Sequence, residues 1–168
     1  MQNLLNILRL VEFCEPIDGR KKFQKLVHIL QECGYPFREQ FSFHLFGPYS
    51  SDLKREIDTL EGELLAETAE ESNEITRYVY HLTEAAKTLL AQRADAQSAA
   101  WKDLAQSLNA RSALDLEAIS TLLFLKKRGY EGQRLQTRFG ELKPNLATQF
   151  ERANRDAESL VANKRLAS

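Results

Sequence analysis

Between Gly19 and Leu60 the chain has few ways to fold. The run GRKKFQKLVHILQECGYPFREQFSFHLFGPYSSDLKREIDTL encodes a basic-tipped amphipathic helix, a short aromatic strand, a Gly-Pro turn and a second helix, with no spare residues between them. Phe23, Leu26, Val27 and Leu30 recur at i, i+3, i+4 and i+7, the stripe of an α-helix, while Lys21, Lys22, Gln24 and Lys25 fall largely on its other faces. Gly34 suits the left-handed position that ends a helix, and Pro36 prevents its continuation. Phe41, Phe43 and Leu45 alternate with Ser42, His44 and Phe46, the period of a half-buried strand that Gly47 and Pro48 should break. Ser50 or Ser51 can then cap a helix that carries Leu53, Ile57 and Leu60 on one face and ends near Gly62.

The flanks follow the same physical rules. Leu4, Ile7, Leu8 and Val11 predict a first helix, ended by Pro16 and an Asp18-Gly19 turn. The segments 64–68 and 75–82, separated by the turn-prone Glu70 to Asn73, predict a β-hairpin, and Thr83 predicts the cap of a helix through Leu89 and Leu90. Residues 94–98 read as a joint, followed by a helix with Trp101, Leu104 and Leu108 on one face. Ser112, with Asp115 three residues on, opens a helix that is apolar on nearly every side from Ile119 to Leu125, which places it in the core or in a subunit interface. Two further helices are expected, one carrying Leu135, Phe139 and Leu142 and one carrying Phe150, Ala153, Ala157, Leu160 and Val161. The expected class is mainly α (α+β): a winged-helix-like module over residues 1–93 with a small hairpin wing, and a helical C-terminal extension over residues 98–168 packed on it as one compact unit.

With a formal net charge of −1 the chain has no global field that would mark a nucleic-acid or membrane-surface protein. Charge is nonetheless uneven. Residues 51–110 hold 6 basic and 12 acidic side chains, and residues 111–168 hold 11 and 7. The two cysteines, Cys14 and Cys33, are too few for a disulfide framework and read as buried free thiols. No run approaches the roughly 18 apolar residues of a membrane span, and the N-terminus lacks the pattern of a secretory signal. A cytoplasmic location without membrane contact is expected.

Four stretches, GRKKFQKLVHIL, FSFHLFGPYSSDLKREI, YVYHLTEAAKTLL and LEAISTLLFL, resemble the YwgA family of uncharacterised bacterial proteins, over roughly residues 5 to 160. More distantly the chain is similar to the SocA-like antitoxin domain called Panacea, from which its longer helical tail departs. The resemblance implies a winged-helix-like fold and a small regulatory or antitoxin-like role, and it supplies no catalytic residues.

A winged helix that reads DNA presents cations on the helix after the turn. Here that helix offers Lys54 and Arg55 against Asp52, Glu56, Asp58, Glu61 and Glu63, and the wing offers Arg77 against Glu67, Glu70, Glu71 and Glu74. Those carboxylates would repel a duplex. Lys54, Arg55 and Arg77 are therefore the candidate nucleic-acid contacts of a secondary reading, a DNA-binding transcription regulator.

The primary reading is a non-catalytic regulator that binds a protein partner through Arg20, Lys21, Lys22 and Lys25, with Arg38 and His28 able to join them, and through His44, Phe46 and Tyr49 at an exposed aromatic turn. The bland alternatives are that the basic cluster pairs with acidic groups of the wing and that tail helices cover the aromatics. Lys126, Lys127, Arg128, Arg134, Arg138 and Lys143 read as a solvated basic face. No phosphate-binding loop, dinucleotide fingerprint or close His/Cys ligand spacing occurs, so no enzyme activity, cofactor or metal is expected. A homodimer is compatible with the pattern.

Overall fold

A computed structural model of the chain describes residues 1–72, 75–93 and 99–167. The expected joint at 94–98 and the wing residues Asn73 and Glu74 lie outside the described residues. The chain is mainly α with small antiparallel sheets, as expected.

Among the described residues, two antiparallel sheets punctuate the helices. Helix α1 (Gln2–Cys14) leads into β1 (Ile17–Asp18) and α2 (Arg20–Glu32), then β2 (Ser42–His44), β3 (Gly47–Tyr49) and α3 (Ser51–Leu60). Strands β4 (Leu65–Ser72) and β5 (Ile75–Leu82) form the expected hairpin, in the register Leu65↔Leu82 to Ser72↔Ile75, with Glu70, Glu71 and Ser72 paired in β4 rather than in the expected turn, and α4 (Glu84–Ala91) follows. The described remainder is α5 (Ala99–Asn109), α6 (Ala113–Lys127), α7 (Gly132–Leu142), a 3-10 turn (Pro144–Gln149) and α8 (Phe150–Ala167).

Helix starts are set where the sequence places a short polar side chain. Ser50, Thr83 and Ser112 each accept a hydrogen bond from the amide three residues on, Leu53, Ala86 and Asp115, which satisfies one of the free N–H groups of the first turn. The Asp18-Gly19 segment differs from expectation. Ile17 and Asp18 pair with Tyr80 and Val79, so β1 forms a third strand on the hairpin, in the order β1-β5-β4. Two paired residues are too short a run to leave a periodic signal.

The Gly-Pro pair is also reassigned. Gly47 and Pro48 lie within β3, pairing with His44 and Phe43, and the turn is Leu45-Phe46. Gly47 has φ +87°, where a β-carbon is disfavoured, and a β-carbon built there would stand 3.2 Å from Thr121 Oγ1 and 3.5 Å from Lys25 Cε. The hairpin therefore lies directly on α2 and α6.

Those two helices are the centre of the molecule. Every residue from Phe23 to Leu30 is buried, as is every residue from Ala118 to Leu125. Of the two alternatives for the apolar helix, the structure shows core. Gln24 and Lys25, which the amphipathic pattern of α2 assigned to its other faces, are buried with specific partners, and so is His28. Gln24 clamps Ser50, donating to its carbonyl at 2.9 Å and accepting from its amide at 2.8 Å. His28 Nδ1 stands 2.6 Å from Ser120 Oγ. Burial pushes the His28 imidazole down to about 3, so the ring is neutral and its 4.0 Å approach to Glu32, which bonds Lys127 at 2.8 Å, is not an ion pair. Cys14 and Cys33 are buried free thiols, raised by desolvation to about 12 and about 11.

Candidate functional site: a basic cavity under an apolar hairpin tip

The N-terminal half of α2, the β2–β3 hairpin and the exposed side of α3 enclose a cavity of about 240 Å³. Helix α2 contributes Arg20, Lys21, Gln24 and Lys25; the hairpin contributes His44, Phe46, Gly47 and Tyr49; α3 contributes Lys54, Ile57 and Asp58. Seven residues singled out from the sequence, Arg20, Lys21, Lys25, His44, Phe46, Tyr49 and Lys54, thus line one cavity.

Their surroundings differ. Arg20 donates to Tyr80 Oη at 2.9 Å and to Glu67 at 3.3 Å, and its guanidinium is 3.5 Å from Glu61, so it belongs in large part to a network with the β4–β5 hairpin and the end of α3. Lys54 pairs with Asp58 one turn on. Lys21 places its ammonium 3.2 Å from the centroid of the Phe46 ring, a cation–π contact across the cavity mouth. The His44 ring lies 4.9 Å from that of Tyr49, tilted by 48°, with Ser42 Oγ 3.0 Å from its Nε2.

Lys25 stands apart from the other three cations. It is 3% exposed and donates to the Pro48 carbonyl at 2.6 Å, and among the described residues no carboxylate lies within 4.0 Å of its ammonium. Burial lowers its amine from 10.5 to about 8; Glu117 opposes that shift, while Lys143 and Lys21 add to it.

The structure leaves the remaining predicted residues outside. Lys22 turns to the C-terminal end of α5 and donates to the Asn109 carbonyl at 2.5 Å. Arg55 pairs with Asp52, and Arg77 stands 3.6 Å from Asp18 and 3.5 Å from Glu70. His28 faces Ser120 inside the core rather than joining the basic cluster.

Two residues that sequence reasoning missed fix the hairpin. Lys143, expected on a solvated face, is 3% exposed and donates to Glu117 at 2.5 Å and to the Leu45 carbonyl at 2.7 Å. Its neighbours in the basic set are surface groups in ion pairs or over aromatic rings, among them Lys126 with Glu158 and Arg128 over Phe124. Lys143 immediately precedes the 3-10 turn that Pro144 opens, and its burial against Glu117 and Leu45 is a tertiary consequence without a local signature. The second is Leu45, which the turn lifts to 81% exposure beside Phe46 at 46%. Glycine is favoured at the fourth position of a type I turn, so Gly47 was the available sign that the turn itself lies at Leu45-Phe46.

The chain also has a recognisable relative. The chain is 38% identical over 109 residues to the uncharacterized protein YwgA of Bacillus subtilis (strain 168). The match covers 64% of this chain and 65% of that protein, just under two thirds of its length. No protein-family model matches the chain. Among the described residues no group of three or more His, Cys, Asp and Glu could hold a metal ion, and no helix is long and apolar enough to cross a membrane.

Proposed function

We propose that the chain is a member of a YwgA-like family and a non-catalytic, cytoplasmic regulatory protein, antitoxin-like or adaptor-like, that binds a protein partner. In this reading residues 1–93 form a winged-helix-like module, supported by the order helix, helix, strand pair, helix, hairpin, helix, and residues 98–168 form its extension. The observation that carries the partner assignment is the hairpin tip, where Leu45 and Phe46 stand exposed on a turn anchored from below by two buried lysines, Lys25 on Pro48 and Lys143 on Leu45. An apolar tip held rigid before binding loses little conformational entropy on docking and supplies the anchor residues that dominate interface energy. Lys21 and Arg20 beside it would steer an acidic partner.

DNA binding by α3 has less support. Its two cations, Lys54 and Arg55, are engaged by Asp58 and Asp52 on the same helix, so few charges are left to displace counterions from a duplex. The test is capture from a native lysate with wild type, Leu45→Asp and Phe46→Ala, with and without nuclease. A protein retained by wild type after nuclease and lost by both variants is the expected outcome. Recovery of nucleic acid alone, unaffected by the tip variants and abolished by Lys54→Ala with Arg55→Ala, would replace this reading with the DNA-binding one.

A further inference from the structure

We propose that the cavity between α2, the β2–β3 hairpin and α3 binds a small single-ring carboxylate, with the carboxylate on Lys25 and the ring against Phe46, Tyr49 and Ile57. This inference does not rest on the protein-partner reading.

The charge balance of the walls calls for an anion. The lining residues include four cations, Arg20, Lys21, Lys25 and Lys54, and one carboxylate, Asp58. Arg20 is met by Glu61 and Glu67 and Lys54 by Asp58, which leaves Lys21 and Lys25 without a carboxylate within 4.0 Å among the described residues. For Lys21, at the exposed mouth, water and the Phe46 ring suffice. Lys25 has no such recourse. An ammonium has three donors, and this one, 3% exposed, has one hydrogen bond. The nearest carboxylate the fold could offer, Glu117, already accepts from Lys143. A buried charge persists in a fold when something completes its coordination, and an entering carboxylate would do so.

Size and wall chemistry narrow the class. About 240 Å³ exceeds the roughly 150 Å³ that accommodates benzene in a dry protein cavity and falls below the roughly 300 Å³ at which sites for drug-sized ligands begin. The carbon surfaces of Phe46, Tyr49, Ile57 and Gly47 form the body of the site. A phosphate dianion would need several free donors, and Arg20 and Lys54 are committed to protein carboxylates, whereas a monoanion on an apolar body matches one free ammonium.

The experiment is an amide and lysine-ammonium NMR titration of the full chain with three probes: benzoate, its neutral analogue benzyl alcohol, and inorganic phosphate. Benzoate should bind saturably with a Kd below about 1 mM, shifting the amides of Gly47, Tyr49 and Ile57 together with the Lys25 ammonium. Benzyl alcohol and phosphate should bind at least tenfold more weakly, and Lys25→Met should weaken benzoate at least tenfold while keeping the folded spectrum. The Lys25 ammonium signal in the wild-type protein decides the matter if the variant misfolds. No saturable shift with benzoate, equal binding of benzyl alcohol, or tighter binding of phosphate would each overturn the proposal.

Discussion

Replacing Lys143 by Met should loosen the hairpin and lower global stability together. The Lys143 side chain is 4% exposed and its partner Glu117 13%, so the pair lies in the regime where removing one member strands the other. Removal of one partner of a buried ion pair costs about 3–5 kcal/mol. The lower end applies because Glu117 retains some water and the nearby Lys25 cation; the lost bond to the Leu45 carbonyl, roughly 1 kcal/mol, is part of the same sum. A loss of about 3 kcal/mol is a large share of the roughly 5–15 kcal/mol that holds a domain folded. With a urea slope of about 2 kcal/mol/M the midpoint should fall by about 1.5 M, read by the fluorescence of Trp101, which is the sole tryptophan and buried. Amide exchange across residues 42–49 should accelerate in the same variant, and adding Glu117→Gln should restore more than half of the loss by removing the stranded charge. A loss under about 1 kcal/mol with unchanged exchange at the hairpin would show that the pair neither supports the fold nor holds the tip.

Lys25 has the opposite character. Its folded-state amine is depressed to about 8, so the unfolded chain binds more protons between about pH 8 and 10.5 and stability should rise with pH through that window. Lys25→Met should flatten that rise in urea melts and be no less stable than wild type at pH 7. Glu56 is displaced the other way: burial and the adjoining Glu39 raise its carboxyl to about 7 from 4.5, so the folded chain keeps a proton that the unfolded chain releases and stability should fall from about pH 4.5 to 7. The full shift corresponds to roughly 3 kcal/mol, which partial exposure reduces to on the order of 1 kcal/mol. Because buried His28 resists protonation down to about 3, it makes stability drop as pH falls below about 6.5, so Glu56→Gln should unmask a profile that rises with pH from 4.5 to 6.5. Leu45→Asp, at an exposed turn, should leave the urea midpoint unchanged within about 0.5 kcal/mol while removing partner capture.

Helices and caps were legible because their causes are local. Ser50, Thr83 and Ser112 act within three residues of their own position, and the stripe Phe23, Leu26, Val27 and Leu30 depends only on helical geometry. The β4–β5 hairpin was legible from the alternation of Tyr78, Tyr80 and Leu82 in its second strand, whereas the polar end of β4, Glu70 to Ser72, carries no period and read as turn. What escaped was set by partners distant in sequence. Gln24, Lys25 and His28 look like surface residues until Ser50, Pro48 and Ser120 are brought against them. The Gly-Pro pair looked like a turn, whereas β3 needs its glycine to pass over Thr121 and Lys25. The cavity was half visible: its residue types were found, but Ile57, Gly47 and Gln24 were read as core, turn or surface, because a hollow is a property of three elements together.

The polar face of α2 also bears on how the chain is made. His28 waits for Ser120, 92 residues further along, and Lys22 for the Asn109 carbonyl, 87 residues on. At roughly 5–20 residues per second, α2 emerges from the ribosome about 5 to 20 seconds before the helix that will cover it. A helix destined for the centre of a protein would ordinarily expose an all-apolar surface during that interval. This one presents lysine, glutamine and histidine to water instead, so the polar groups whose later hydrogen bonds specify its place in the core also make the nascent helix less prone to premature association.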